Sequence, residues 1–128
     1  MAVSMLGGLG ISQKLCDWLP AERQRMAELL AIYAEHVKPR LATSKLERLS
    51  RQPQRYGAGE RHVLFRLVSP VQPDLLFAYN LAAEPWQLDY AHAGEGALEL
   101  LDQREISLVD GRLRIGLAAQ SAAVIELQ

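Results

Sequence analysis

The sequence predicts a mainly β protein: an antiparallel β-sandwich of about seven to eight strands preceded by one long amphipathic helix. Three observations carry that prediction. Apolar spacing changes from threes and fours to strict alternation after Arg40. Turn-forming residues then recur roughly every ten residues. One hairpin, "EISLVDGRLRIGL", is spelled out residue by residue. The boundary implied is a helical segment over 1–40 and a sandwich over 41–128.

The helix is expected from Pro20 to about Lys38. Met26, Leu29, Leu30, Tyr33 and Val37 trace one face, and Ala27, Ala31 and Ala34 widen it. Pro20 suits the first turn, where its missing N–H costs nothing. Glu22 complements the positive end of the helix, and His36 and Lys38 complement the negative end. Pro39 is expected to stop the helix. Residues 12–18 suggest a short preceding helix, entered from the glycines of "GGLG".

Beyond Arg40 the period is two. Val63, Phe65 and Leu67 alternate, then Leu75, Phe77, Tyr79 and Leu81, then Trp86, Leu88 and Tyr90. Asp110-Gly111 is a preferred two-residue turn, and Leu113, Ile115 and Leu117 oppose Arg112 and Arg114 after it. "AAVIELQ" reads as a last strand, with weaker runs at 45–49 and 97–101. The expected core is Phe65, Leu67, Phe77, Tyr79, Trp86, Leu88, Leu113, Ile115 and Ile125.

Composition narrows the chemistry. At 128 residues the chain is long enough to bury a core without metal or disulfide staples. A net charge of −1 offers no electrostatic case for nucleic acid or an anionic membrane. No apolar run approaches the ~20 residues of a membrane span, and "MAVSMLGGLGIS" lacks the basic leader of a signal peptide. A lone Cys16 fits a reducing compartment, so a cytoplasmic location is expected, with the thiol on a buried helix face.

No nucleophile motif is present, and "GGLG" is not a dinucleotide fingerprint. His36, His62 and His92 lack metal-ligand spacing, so neither a metal nor a cofactor is expected. Asp89, Glu95, Glu99, Asp102 and Glu105 are numerous enough to supply a glycosidase-type carboxylate pair, but their spacing singles none out, and no catalytic residue is assigned. The aromatic candidates are Trp86 and Tyr90 on one strand, joined by Arg55 and Tyr56 in the basic loop "RQPQRYGAGERH". Together they would form a platform for sugar rings. Against that, Trp86, Leu88 and Tyr90 share one face, and such an apolar set normally points into a core.

A resemblance enters at this point. "GGLGISQKLCDWLPAERQRMAELLAIYAEHVKPRLATSKLERL" resembles the last barrel helix, and its exit, in melibiase-type α-galactosidases and related glycoside hydrolases. Tyr33, Val37, Lys38 and Pro39 match the exit; Leu46 and Leu49 match the short strand after it. "RHVLFRLVSPVQPDLLFAYNLAAEPWQLDY" and "DGRLRIGLAAQSAAVIEL" are similar to the antiparallel β-domain of those enzymes. The sequence departs from the pattern at the exit, with lysine where arginine is usual, and at Ser44-Lys45, where a glycine is usual. The family's catalytic aspartates lie on a barrel of about 250 residues, longer than this whole chain, so no catalytic position carries over. The resemblance implies a non-catalytic accessory β-domain that stabilises or assembles with a partner. The alternatives are a carbohydrate-binding module and a small glycoside hydrolase. The apolar helix further suggests a homo-oligomer formed through it.

Overall fold

The computed structural model describes residues 15–50 and 61–128. The chain falls into two compact units, Met1–Thr43 and Ser44–Gln128.

In the first unit, Leu15–Asp17 form one 3-10 turn; the rest of the short helix expected over 12–18 lies outside the described residues. Helix α1 spans Pro20–Ile32. Its N-terminus is closed by Glu22, whose carboxylate accepts the Leu19 N–H at 2.8 Å, offsetting one of the unsatisfied donors of a helix start. Proline in the first turn does the rest.

Pro39 does not stop the helix. The chain continues through a wide π-turn, Tyr33–Val37, into α2, Lys38–Leu41, giving 22 helical residues in all. Proline removes an amide donor and crowds the preceding turn. Widening that turn, so that the Lys38 N–H reaches back to the Tyr33 carbonyl, accommodates both defects. Arg40, itself buried, donates to the His36 carbonyl within the same segment. The predicted apolar face is the less exposed one, yet α1 contains no buried residue, and Ala27, Ala31 and Ala34 lie in the open rather than widening a covered face. Cys16 is exposed as well, because it precedes the helix instead of riding on it.

The second unit is the predicted sandwich. Its strands are β1 (Lys45–Arg48), β2 (His62–Val68), β3 (Asp74–Asn80), β4 (Trp86–Ala91), β5 (Ala97–Glu99), β6 (Ser107–Val109), β7 (Arg112–Leu117) and β8 (Ser121–Leu127). They form a five-stranded sheet ordered β1-β2-β3-β8-β5 and a three-stranded sheet ordered β4-β7-β6, with every pairing antiparallel. Asp110 and Gly111 both adopt positive φ, 51° and 70°, as the tight β6–β7 turn requires.

The inter-sheet core contains Leu76, Ala78, Ala123, Ile125 and Leu127 from the larger sheet, facing Leu88, Leu113, Ile115 and Leu117 from the smaller. Burying each Leu or Ile contributes about 1.5–3 kcal/mol. On β7 the expected alternation holds: Leu113, Ile115 and Leu117 are buried while Arg112 and Arg114 are exposed.

The expected core residues are buried, apart from the partly buried Phe65 and Trp86, but they are divided between the two faces of the larger sheet. Phe65, Leu67, Phe77 and Tyr79 do not face the smaller sheet. The registers Phe65↔Phe77 and Phe77↔Val124 put them on the opposite face of the larger sheet, where Phe65 and Tyr79 meet edge to face at 6.3 Å between ring centroids. The cause lies in β3, where Leu75 to Asn80 are all buried. A strand buried on both faces has no polar side to reveal which parity points inward.

Candidate functional site

Trp86, Leu88 and Tyr90 share the inward face of β4, while Gln87, Asp89 and Ala91 point outward. Trp86 and Tyr90 are only partly buried, because each stands near one end of the inter-sheet space and packs against the core there. Trp86 is stacked on His62 of the facing sheet, with 4.3 Å between ring centroids and planes 5° apart. One indole face is therefore occupied by protein. Tyr90, at the other end, accepts a hydrogen bond from Arg66 Nη1 at 3.2 Å.

Arg66 is anchored in turn by Asp74. Its Nε and Nη2 reach Asp74 Oδ2 at 2.8 and 2.6 Å, and the other carboxylate oxygen accepts the Ser69 N–H at 2.8 Å. This charge-assisted pair holds the Arg66 guanidinium above its usual range. The chain Asp74–Arg66–Tyr90 thus ties the two sheets together. Of the four sugar-platform candidates, Arg55 and Tyr56 lie outside the described residues.

Asn80 was not singled out in the sequence, yet it is fully buried and makes the densest polar contact in the sandwich. Its Nδ2 donates to the carbonyls of Glu84 at 2.8 Å, Ala118 at 2.9 Å and Leu117 at 3.4 Å. Its Oδ1 accepts the Ala82 N–H at 3.1 Å. One amide therefore fixes the β3–β4 loop and the end of β7 on the end of β3. Its position among apolar neighbours in "LLFAYNL" was the available signal, since a buried amide must find partners.

Three of the five candidate carboxylates, Asp89, Glu99 and Asp102, are held by neighbouring groups. Asp89 lies on the exposed face and accepts from Arg112 Nε at 2.6 Å and Arg114 Nε at 3.2 Å. Those contacts, led by Arg112, hold its carboxyl below the usual carboxylate range. Glu99 is buried, but its oxygens accept the N–H groups of Leu101, Asp102 and Arg104 at 3.0, 2.8 and 3.2 Å, closing the loop after β5. Asp102 pairs with Arg104 at 2.5 Å. A glycosidase pair needs two carboxylates facing one gap; these are spent on arginines and backbone.

Within the sandwich, His62 and His92 stand at opposite ends of β4. His92 Nε2 lies 3.0 Å from the Gly96 carbonyl and 3.1 Å from that of Gln128. A Cβ on Gly94 would come within 2.0 Å of the Gln128 carbonyl, so this close approach requires glycine. Among the described residues no group of three His, Cys, Asp or Glu side chains could hold a metal, and no helix is long and apolar enough to cross a membrane.

The helical unit carries a groove of about 830 Å³ along the start of α1. Trp18, Met26 and Leu29 supply its apolar lining, and Asp17, Glu22 and Arg25 its charges.

Comparison with known proteins places this architecture. No protein-family model matches the chain, and no curated protein does. Solved structures do. AmyP in complex with maltotriose is similar over 95% of this chain and 23% of its own, at 17% identity and a TM-score of 0.65. An Anoxybacillus α-amylase, described as representing a glycosyl hydrolase subclass, is similar over 82% of this chain and 22% of its own, at 16% identity and a TM-score of 0.60. The α-amylase from H. orenii is similar over 94% and 26%, at 20% identity and a TM-score of 0.54. The likeness is one of fold. Those chains contain this fold as a part, as the resemblance to glycoside hydrolases led us to expect, and this chain spans about a quarter of their length.

Proposed function

We propose that this chain is a non-catalytic accessory β-domain of glycoside-hydrolase type, which stabilises or assembles with a partner and does not turn over sugar. The observation that carries the reading is the partial match. The fold seen here recurs in α-amylases as 22–26% of a chain whose remainder has no counterpart in this one. The side chains agree with it. Asp89, Glu99 and Asp102 are each engaged by arginines or backbone amides. Trp86 and Tyr90 are turned toward the inter-sheet core, which favours a structural role for them over a sugar platform.

Two measurements on the full chain test the proposal. Incubation with chromogenic α-glucosides and α-galactosides should release no product above background. Release that survives further purification and vanishes on mutating one Asp or Glu would contradict the proposal. Calorimetric titration with maltotriose and with α-galactosides should give no saturable heat. Saturable binding abolished by Trp86→Ala, in a variant whose circular dichroism is unchanged, would instead establish a carbohydrate-binding module.

A further inference from the structure

The groove on the helical unit has a property that its composition alone does not reveal. Of its lining residues, Ala21, Glu22, Arg25, Met26 and Leu29 follow one another on α1 at spacings of one and three and form a single stripe, with Asp17 and Trp18 just ahead of the helix. The stripe is complementary to its own reverse. When it is laid antiparallel against a second copy about a two-fold axis between Arg23 and Gln24, Trp18 falls opposite Leu29. Ala21 falls opposite Met26, and Glu22 opposite Arg25. Between Trp18 and Leu29 a large apolar group meets a large one at each end, a small one meets a long flexible one inside, and opposite charges meet at the centre, while Asp17 falls opposite Leu30 beyond them.

From this self-complementarity we infer that the groove is the homodimer interface of the chain, its occupant being the same groove of a second copy in antiparallel register. A parallel pairing would set Glu22 against Glu22 and Arg25 against Arg25, so the charges select the antiparallel one. Arg25 also meets Glu28, 3.3 Å away, and the several N–H donors of a guanidinium can serve more than one partner. The antiparallel register leaves Glu22 its cap on the Leu19 N–H, since one carboxylate oxygen suffices for that bond. Pairing would cover the apolar groups that α1 leaves open, where no residue is buried. The inference concerns the helix alone and is independent of the accessory role given to the sandwich.

Light scattering coupled to size exclusion, on the full chain, should return twice the 14.2 kDa chain mass. Arg25→Glu alone and Glu22→Arg alone should each weaken self-association at least about tenfold, by placing like charges across the axis. Mixing the two variants should restore the dimer as a heterodimer, because each then presents the charge the other lacks; differential isotope labelling and native mass spectrometry would identify it. Circular dichroism on each variant confirms that it is folded, and Ala21→Trp, which keeps both charges but fills the centre, should also give monomer. A wild-type monomer up to about 100 μM would overturn the inference, since a weaker affinity is negligible at cellular concentrations. So would a dimer indifferent to all three substitutions, or folded charge variants that stay monomeric when mixed.

Discussion

Helix α1 carries one apolar face and strand β3 is apolar along most of its length, and the structure treats their apolar groups oppositely. β3 buries six consecutive residues, Leu75 to Asn80, whereas α1, nearly twice as long, buries none. The difference is one of neighbours. β3 is flanked in its sheet by β2 and β8, and its inward side chains face a second sheet. For α1, packing must come from elsewhere, because an isolated helix of this length is marginal in water. Where an apolar group is buried therefore depends on the number of elements that cover its face as well as on the apolar content of its segment.

The sharpest way to break this comparison is to make the same deletion in both regions. Leu76→Ala, in the inter-sheet core, should cost about 2–5 kcal/mol in urea unfolding, because it leaves a cavity between two sheets. Leu30→Ala in α1 should cost about 1 kcal/mol or less, since alanine is the better helix former and little packing is lost. Equal costs would end the contrast.

Asn80→Ala sharpens the sandwich side. It removes the Nδ2 contacts with the carbonyls of Glu84, Leu117 and Ala118 at a fully buried position, leaving the Ala118 carbonyl to the Ser121 hydroxyl, at a cost of about 1–3 kcal/mol in the same assay. Tyr79→Phe asks about the outer face of the larger sheet. Burial raises the Tyr79 phenol well above its usual range. The stability it contributes is fully present below the unfolded value of about 10 and is lost as pH rises beyond it, because only the unfolded chain then ionises. The wild type should thus lose stability above about pH 10, and Tyr79→Phe should flatten that limb.

The smallest effect belongs to Asp89→Asn on the exposed face. Its carboxyl is lowered by Arg112 and then Arg114, so its contribution is present above the unfolded value and is lost as pH falls through the lowered one. Solvent screens all three charges, and at neutral pH the denaturation midpoint should not move measurably. Any small loss should appear above about pH 4 and vanish in acid, where the wild-type carboxyl is itself neutral.

The contrast also explains what could be read in advance. The β6–β7 hairpin was legible because Asp110-Gly111 dictates its turn and β7 has one wet face, so its alternation names the buried side. The inward parity of β2 and β3 was not legible, because neither face of β3 is wet. The end of the helix was misread because a proline's defects can be absorbed by one widened turn, a tertiary adjustment that leaves no local mark. At the candidate site, the shared face of Trp86 and Tyr90 followed from spacing alone. Their partners His62 and Arg66 come from the other sheet, and no local pattern links them. Asn80 was passed over because its partners lie up to 38 residues away.

Hydrogen exchange on the full chain, followed by mass spectrometry at nanomolar and high micromolar concentration, tests the comparison most directly: the inter-sheet core of the sandwich is closed within one chain, and we propose that α1 obtains its cover from a second copy. At the low concentration, amides of α1 should exchange far ahead of those in β3 and β8, and at the high concentration α1 alone should gain protection. Protection of α1 equal to that of β3 at both concentrations would contradict the account.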